Sequence, residues 1–199
     1  MREGAASTDA LHRATESGDV DGVVAALDAG ADIDSRDSHG RTALLIAATE
    51  DYVDAARALV ERGADVNALD DRHDTPWLVT GVTGSVAMAE VLLTAEPDLT
   101  IRNRYGGISV IPASERGHVD YVRRVVQTDI DVNHVNDLGW TALLEAVILG
   151  DGSEPYQQIV SILLDAGADR SIGDHDGVTP LQHAQSKGQA EVAATLVDR

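Results

Sequence analysis

Apolar positions in this chain fall at helical spacing within short blocks, and polar, glycine-bearing breaks separate the blocks. Val53, Ala56, Leu59 and Val60 put one apolar face on a predicted helix. Val119, Val122, Val125 and Val126 do the same further along. A second series of blocks precedes these: Thr42-Ala43-Leu44-Leu45, Thr75-Pro76-Trp77-Leu78, Ile108-Ser109-Val110-Ile111 and Thr141-Ala142-Leu143-Leu144 start 33 residues apart. Asp9-Ala10-Leu11-His12 lies 33 residues before the first, and Thr179-Pro180-Leu181-Gln182 follows the last after 38, an insertion of five. A constant period in this range specifies a stack of small repeated units, six of them here.

Within each unit the punctuation predicts two helices and a turn. Thr42, Thr75, Thr141 and Thr179 stand where a hydroxyl caps the first helix, and Pro76 and Pro180 take its first position. About nine residues after each start comes Gly18, Gly84, Gly117, Gly150 or Gly188, with Asp51 in the second unit, marking the turn between helices. The second helix closes at Gly30-Ala31-Asp32, Gly63-Ala64-Asp65 or Gly167-Ala168-Asp169, where glycine supplies the left-handed conformation of a helix end.

With Gly63-Ala64-Asp65-Val66-Asn67 and Gly177-Val178-Thr179-Pro180-Leu181 among its phrases, the chain resembles the ankyrin-repeat family over roughly residues 5 to 199, and in its compact length the small bacterial members. The resemblance implies an all-α solenoid of six helix-turn-helix repeats joined by β-hairpin-like fingers. The repeats run at about 5–36, 37–69, 70–102, 103–135, 136–173 and 174–199. Since one unit cannot bury its apolar face alone, the six are expected to form a single domain, 1–199. The sixth is the expected terminal cap, with Gln182, Gln185 and Gln189 able to face water.

The pattern breaks in the third and fourth repeats. Glu96-Pro97 and Asp129 replace the closing glycine, Ile108 replaces the capping threonine, and Pro112 enters the first helix. If Ser109 becomes the cap, Pro112 falls in the first turn, where its missing N–H costs nothing, and the helix starts about a residue late. His73 occupies the finger position held elsewhere by Gly40, Gly106, Gly139 and Gly177, and histidine tolerates positive φ better than most residues. The insertion near Asp151-Gly152-Ser153-Glu154-Pro155 is expected to bulge outward as a loop.

Composition narrows the function. The chain has no Cys, which excludes disulfides, thiolate metal sites and cysteine nucleophiles. Phe is also absent, so Ala, Leu, Val and Ile must build the core. A net charge of −19, with Lys187 the single lysine, argues against nucleic acid and leaves two readings of the acidity. It keeps the surface solvated, or it steers encounter with a basic protein. No apolar stretch is long enough to span a membrane, and Met1 to Gly18 lacks the pattern of a secretory signal, so the expected location is the cytoplasm. Asp174-His175-Asp176 is the densest group of reactive side chains, but neighbouring turn residues diverge and no open metal-ligand spacing is present. No catalytic residue, metal or cofactor is assigned. His12 and His118 match the structural TPLH and GH histidines of the family that the chain resembles.

The resemblance also implies a binding face made by finger tips and the concave side of the first helices. Carried over by position, the fifth repeat offers Leu138, Trp140, Ile148 and Leu149, next to Tyr105 of the fourth, with Arg104 and Arg116 at the edge. Apolar and aromatic anchors ringed by polar groups mark interfaces. The competing reading has Trp140 and Leu149 folding back to fill gaps over the irregular fourth repeat. The expected function is a monomeric, non-catalytic adaptor or scaffold for another protein. The alternative is an acidic inhibitor or immunity-like protein that blocks one basic enzyme.

Overall fold

The computed structural model describes residues 2–198, and all regular structure among them is helical. Two compact units divide the chain, Met1–Ile101 and Arg102–Arg199. The first holds α1 (Arg2–Glu16), α2 (Val20–Asp28), α3 (Ala43–Thr49), α4 (Val53–Glu61), α5 (Pro76–Thr83) and α6 (Val86–Leu93). Its odd-numbered helices pack in one row and its even-numbered helices in a second. The second unit repeats the arrangement with α7 (Val110–Glu115), α8 (Val119–Val125), α9 (Ala142–Ile148), α10 (Glu154–Asp165), α11 (Pro180–Ser186) and α12 (Ala190–Asp198).

The predicted caps are made. Thr42, Thr75, Thr141 and Thr179 each accept a backbone N–H three residues on, at 3.1 to 3.4 Å. Gly30, Gly63 and Gly167 close α2, α4 and α10 with φ of 84 to 90°. Each closure carries the paired bonds of a left-handed cap, such as Gly63 N–H to Val60 and Ala64 N–H to Leu59. Asp51 and His73 adopt φ of 58° and 62° at the glycine positions they occupy. Glu96 does likewise at 52°, but Pro97 has no N–H to complete the pair, so the Leu92 carbonyl takes the Ala95 N–H instead, while the Thr94 hydroxyl donates to Val91 O. In the fourth repeat the left-handed residue is missing, and Thr128 makes the matching bond to Val125 O.

Three expectations need correction. The helix over the fourth repeat does start one residue late, at Val110, with Pro112 in its first turn, yet Ser109 is no side-chain cap. Its backbone is already helical, its Oγ is buried without a partner, and Ile108 O takes the Ile111 N–H. The insertion of the fifth repeat is divided and does not bulge as one loop: residues 151–153 lengthen the turn after α9, and Glu154-Pro155 open the first turn of α10, a helix of 12 residues against the 7 to 9 of the other second helices. That turn brings Tyr156 back to donate its hydroxyl to Glu115 O at 3.0 Å. Gly150 stands in its turn as expected, and the left-handed residue there is Gly152. Gly150 is needed for space, because a Cβ there would meet Ala146 O at 2.2 Å and the Tyr156 ring at 2.5 Å.

Gln189 does not face water. It is buried, and its Nε2 donates to Val147 O and Gly150 O at 3.1 and 3.0 Å. Lys187 Nζ donates to Val147, Ile148 and Gly150 carbonyls, so these two side chains satisfy the open carbonyl end of α9 from the next repeat. Gln189→Ala is expected to destabilise the second unit by about 1.5 kcal/mol, the usual cost of orphaning buried carbonyls. Urea unfolding followed by circular dichroism measures it, and an unchanged midpoint would show that water replaces the amide.

Candidate protein-binding face

Each finger is built on one Asx side chain. Asp37, Asp70, Asn103, Asn136 and Asp174 each accept two backbone N–H groups of the same finger through Oδ1, at 2.8 to 3.0 Å. A backbone bond then closes the finger, as from Asn136 N–H to Trp140 O at 3.0 Å. This hairpin-like closure forms without regular strands among the described residues. The short Asx carboxyl or amide reaches its own backbone two and four residues on, which is why these types occupy the position.

The remaining Asx atom varies, and the chemistry follows the partner. Asp37 Oδ2 meets the Arg41 guanidinium at 2.7 Å. Asp174 Oδ2 meets His183 Nε2 at 2.7 Å. Asp174 is held below the usual carboxylate range by the Val178 backbone N–H and by His183, so of the Asp174-His175-Asp176 group this carboxylate is engaged within its own repeat. Among the described residues no group of three or more His, Asp or Glu is placed to hold a metal. In the fifth repeat the finger residue is an amide, and Asn136 Nδ2 donates to Glu145 Oε1 at 2.9 Å. Glu145 is only 5% exposed. Burial, with the like charge of Glu115 added, pushes its carboxyl up to about 7 against the Asn136 hydrogen bond. Glu145 was missed in the sequence. An acid stands at the place of Ile46, Val79 and Pro112 in earlier repeats, and nine residues upstream Asn136 replaces the Asp of Asp37, Asp70 and Asp174, which together are the available sign.

Neighbouring fingers of the second unit are joined. Asp137 N–H donates to Tyr105 O at 3.0 Å, and His134 Nε2 lies 2.6 Å from Gly106 O. This register sets Tyr105 and Leu138 at matching positions of adjacent fingers, 54% and 52% exposed. The Arg104 guanidinium lies 4.5 Å from the centre of the Tyr105 ring, within cation–π range. Trp140 ends its finger half-buried. The other predicted residues form a second group. Arg116 and Leu149 are the exposed residues just past α7 and α9, and Ile148, half-buried, ends α9. The seven-residue helix α9 separates the groups by about 10 Å along its axis. The seven residues are therefore one finger cluster and one helix-end cluster.

Paired short helices, left-handed closures and Asx-built fingers repeating every 33 residues define a helical-repeat protein. The sequence matches the ankyrin repeats (3 copies) family over residues 3–70 and 111–199, and the chain belongs to the ankyrin-repeat family. It is 37% identical to the ankyrin repeat protein YahD of Escherichia coli (strain K12) over 92% of each chain. Among solved structures, an ankyrin repeat domain from Acinetobacter baumannii AYE is 47% identical, with a TM-score of 0.91 over 94% of this chain and 96% of that one. The ankyrin repeat protein EF0377 is 39% identical, with a TM-score of 0.92 over 96% and 97%. The fold is thus the ankyrin solenoid, a general protein–protein interaction fold. No helix among the described residues is long and apolar enough to cross a membrane.

Proposed function

We propose that this chain is a non-catalytic adaptor or scaffold, monomeric and cytoplasmic, that binds another protein through the finger tips and inner-helix side of its second unit. The observation that carries this reading is the pair of half-exposed side chains Tyr105 and Leu138, on two hydrogen-bonded fingers, with Arg104 stacked on the tyrosine. Large apolar side chains held out on a rigid backbone lose little entropy when covered. Trp140 adjoins them in sequence and completes the anchor set, and Arg116, Ile148 and Leu149 extend the face along α9. The net charge of −19 supports a basic protein as partner and disfavours nucleic acid. The inhibitor alternative rests on that charge alone, and no feature of the face favours it.

Capture from extract of the source cell tests the site, with wild type beside Trp140→Ala and Leu138→Asp. Each variant is expected to lose the captured protein at least about tenfold while its melting temperature moves by no more than about 5 °C. A large fall in melting temperature with capture intact would place Trp140 in the packing and reject the site. That the six repeats act as one domain belongs to the same proposal. Trp77 and Trp140, one in each unit, are expected to report a single shared unfolding transition, and two separate transitions would reject it.

A further inference from the structure

Buried carboxylates in proteins are normally paired with a cation or saturated with donors. Glu145 has neither. One neutral amide serves Oε1, and no hydrogen bond within the protein reaches Oε2. The elements packed on α9 supply no free cation. From α7 comes Glu115, a second acid, followed by the exposed Arg116, which makes no ion pair with either glutamate. From α10 come Glu154 and Asp165, also acids. From α11 comes His183, taken by Asp174, and just past its end Lys187, whose Nζ is spent on three backbone carbonyls. In the nearby fingers Arg104 lies over Tyr105, Asp137 adds negative charge, and the His175 ring packs on Gly139.

The position of this carboxylate relative to the apolar face is set by one side chain. Asn136 accepts the backbone N–H groups of Leu138 and Trp140 through Oδ1 while its Nδ2 holds Glu145. The carboxylate and the finger that displays Leu138 are therefore fixed to each other.

We infer that Glu145, with Glu115 beside it, is the receptor for an arginine of the bound protein, and that apolar residues flanking this arginine cover Leu138 and Tyr105. The inference rests on the binding face proposed above. Charge complementarity selects the occupant. An uncompensated carboxylate that is 5% exposed calls for a cation, and a guanidinium can serve Oε2, which no side chain of this protein engages.

The test uses the whole chain and the peptide acetyl-Leu-Arg-Leu-amide as probe, followed by amide and side-chain NMR at pH 8. Saturable shifts are expected at the Asn136 side-chain amide and at the Leu138 and Trp140 N–H groups, with a dissociation constant in the low millimolar range, about 1 to 5 mM. The citrulline analogue of the peptide should bind at least about fivefold more weakly, and Glu145→Gln should weaken the arginine peptide by a similar factor. Glu115→Gln, which leaves the buried acid and its amide untouched, should weaken it about twofold. Equal binding of the citrulline peptide, full binding by Glu145→Gln, shifts that map elsewhere, or no saturation by about 20 mM would each overturn the inference. Capture of a partner that needs Trp140 but ignores Glu145 rejects this inference alone. Arginine-dependent peptide binding at Glu145 with a partner indifferent to Trp140 rejects the broader face instead.

Discussion

Glu145→Gln is expected to make the protein more stable than wild type at pH 8 and no more stable at pH 4. The folded carboxyl titrates at about 7 against an ordinary 4.5, so between these values the folded state holds a proton that the unfolded chain releases. Stability from this group is therefore fully present below about pH 4.5 and is lost as pH rises through 7. Glutamine keeps an oxygen for the Asn136 amide and removes the charge. Allowing for solvent screening, the gain at pH 8 is about 2 kcal/mol, or about 5 °C in melting temperature. The difference between variant and wild type, measured by thermal unfolding across this range, isolates the group. Asp98, Asp151 and Asp169, held low by hydroxyl and backbone donors of Thr100, Ser153 and Ser171, weaken both proteins alike in acid. A pH-independent difference would show that Glu145 is solvated in the folded state. The result also bears on function, since a variant that is folded and more stable cannot lose peptide binding by unfolding.

Trp77→Ala is expected to cost about 4 kcal/mol, the largest single effect in the first unit. Trp77 is 1% exposed and fills in α5 the place that Leu44 fills in α3, so its removal leaves a cavity between closely packed helices. Its Nε1 is buried without a partner, which adds a second expectation. Trp77→Phe keeps most of the ring and deletes the orphaned N–H, so its cost should be about 1 kcal/mol. Urea unfolding by circular dichroism compares the two. An alanine variant within about 1 kcal/mol of wild type would mean that neighbouring helices collapse into the space.

Most of the fold was legible because the parts of this repeat are local. A threonine before Ala43, Pro76 or Ala142 needs only its own chain three residues on to cap a helix. Left-handed glycines and the stand-ins Asp51 and His73 were equally readable, since φ preference belongs to the residue. Ser109 was misjudged because its hydroxyl, unlike those of the threonines, is turned into a buried site by a backbone that becomes helical one residue early for a cap. The binding face was legible only in outline. Positions 105 and 138 could be matched by the period, whereas the distance from Leu138 to Leu149 depends on the helix between them.

The period, the helix ends, the finger turns and hence membership of the ankyrin family are written in local interactions, each spanning fewer than about ten residues. The tertiary structure decided what lies across each repeat boundary. It turned Gln189 from water onto the carbonyls of α9, divided the insertion between a turn and the start of α10 so that Tyr156 reaches Glu115, and enclosed Glu145 without a cation. The physical reason is that burial and electrostatic environment depend on side chains some 30 to 40 residues away, whose facing pairs only packing brings together.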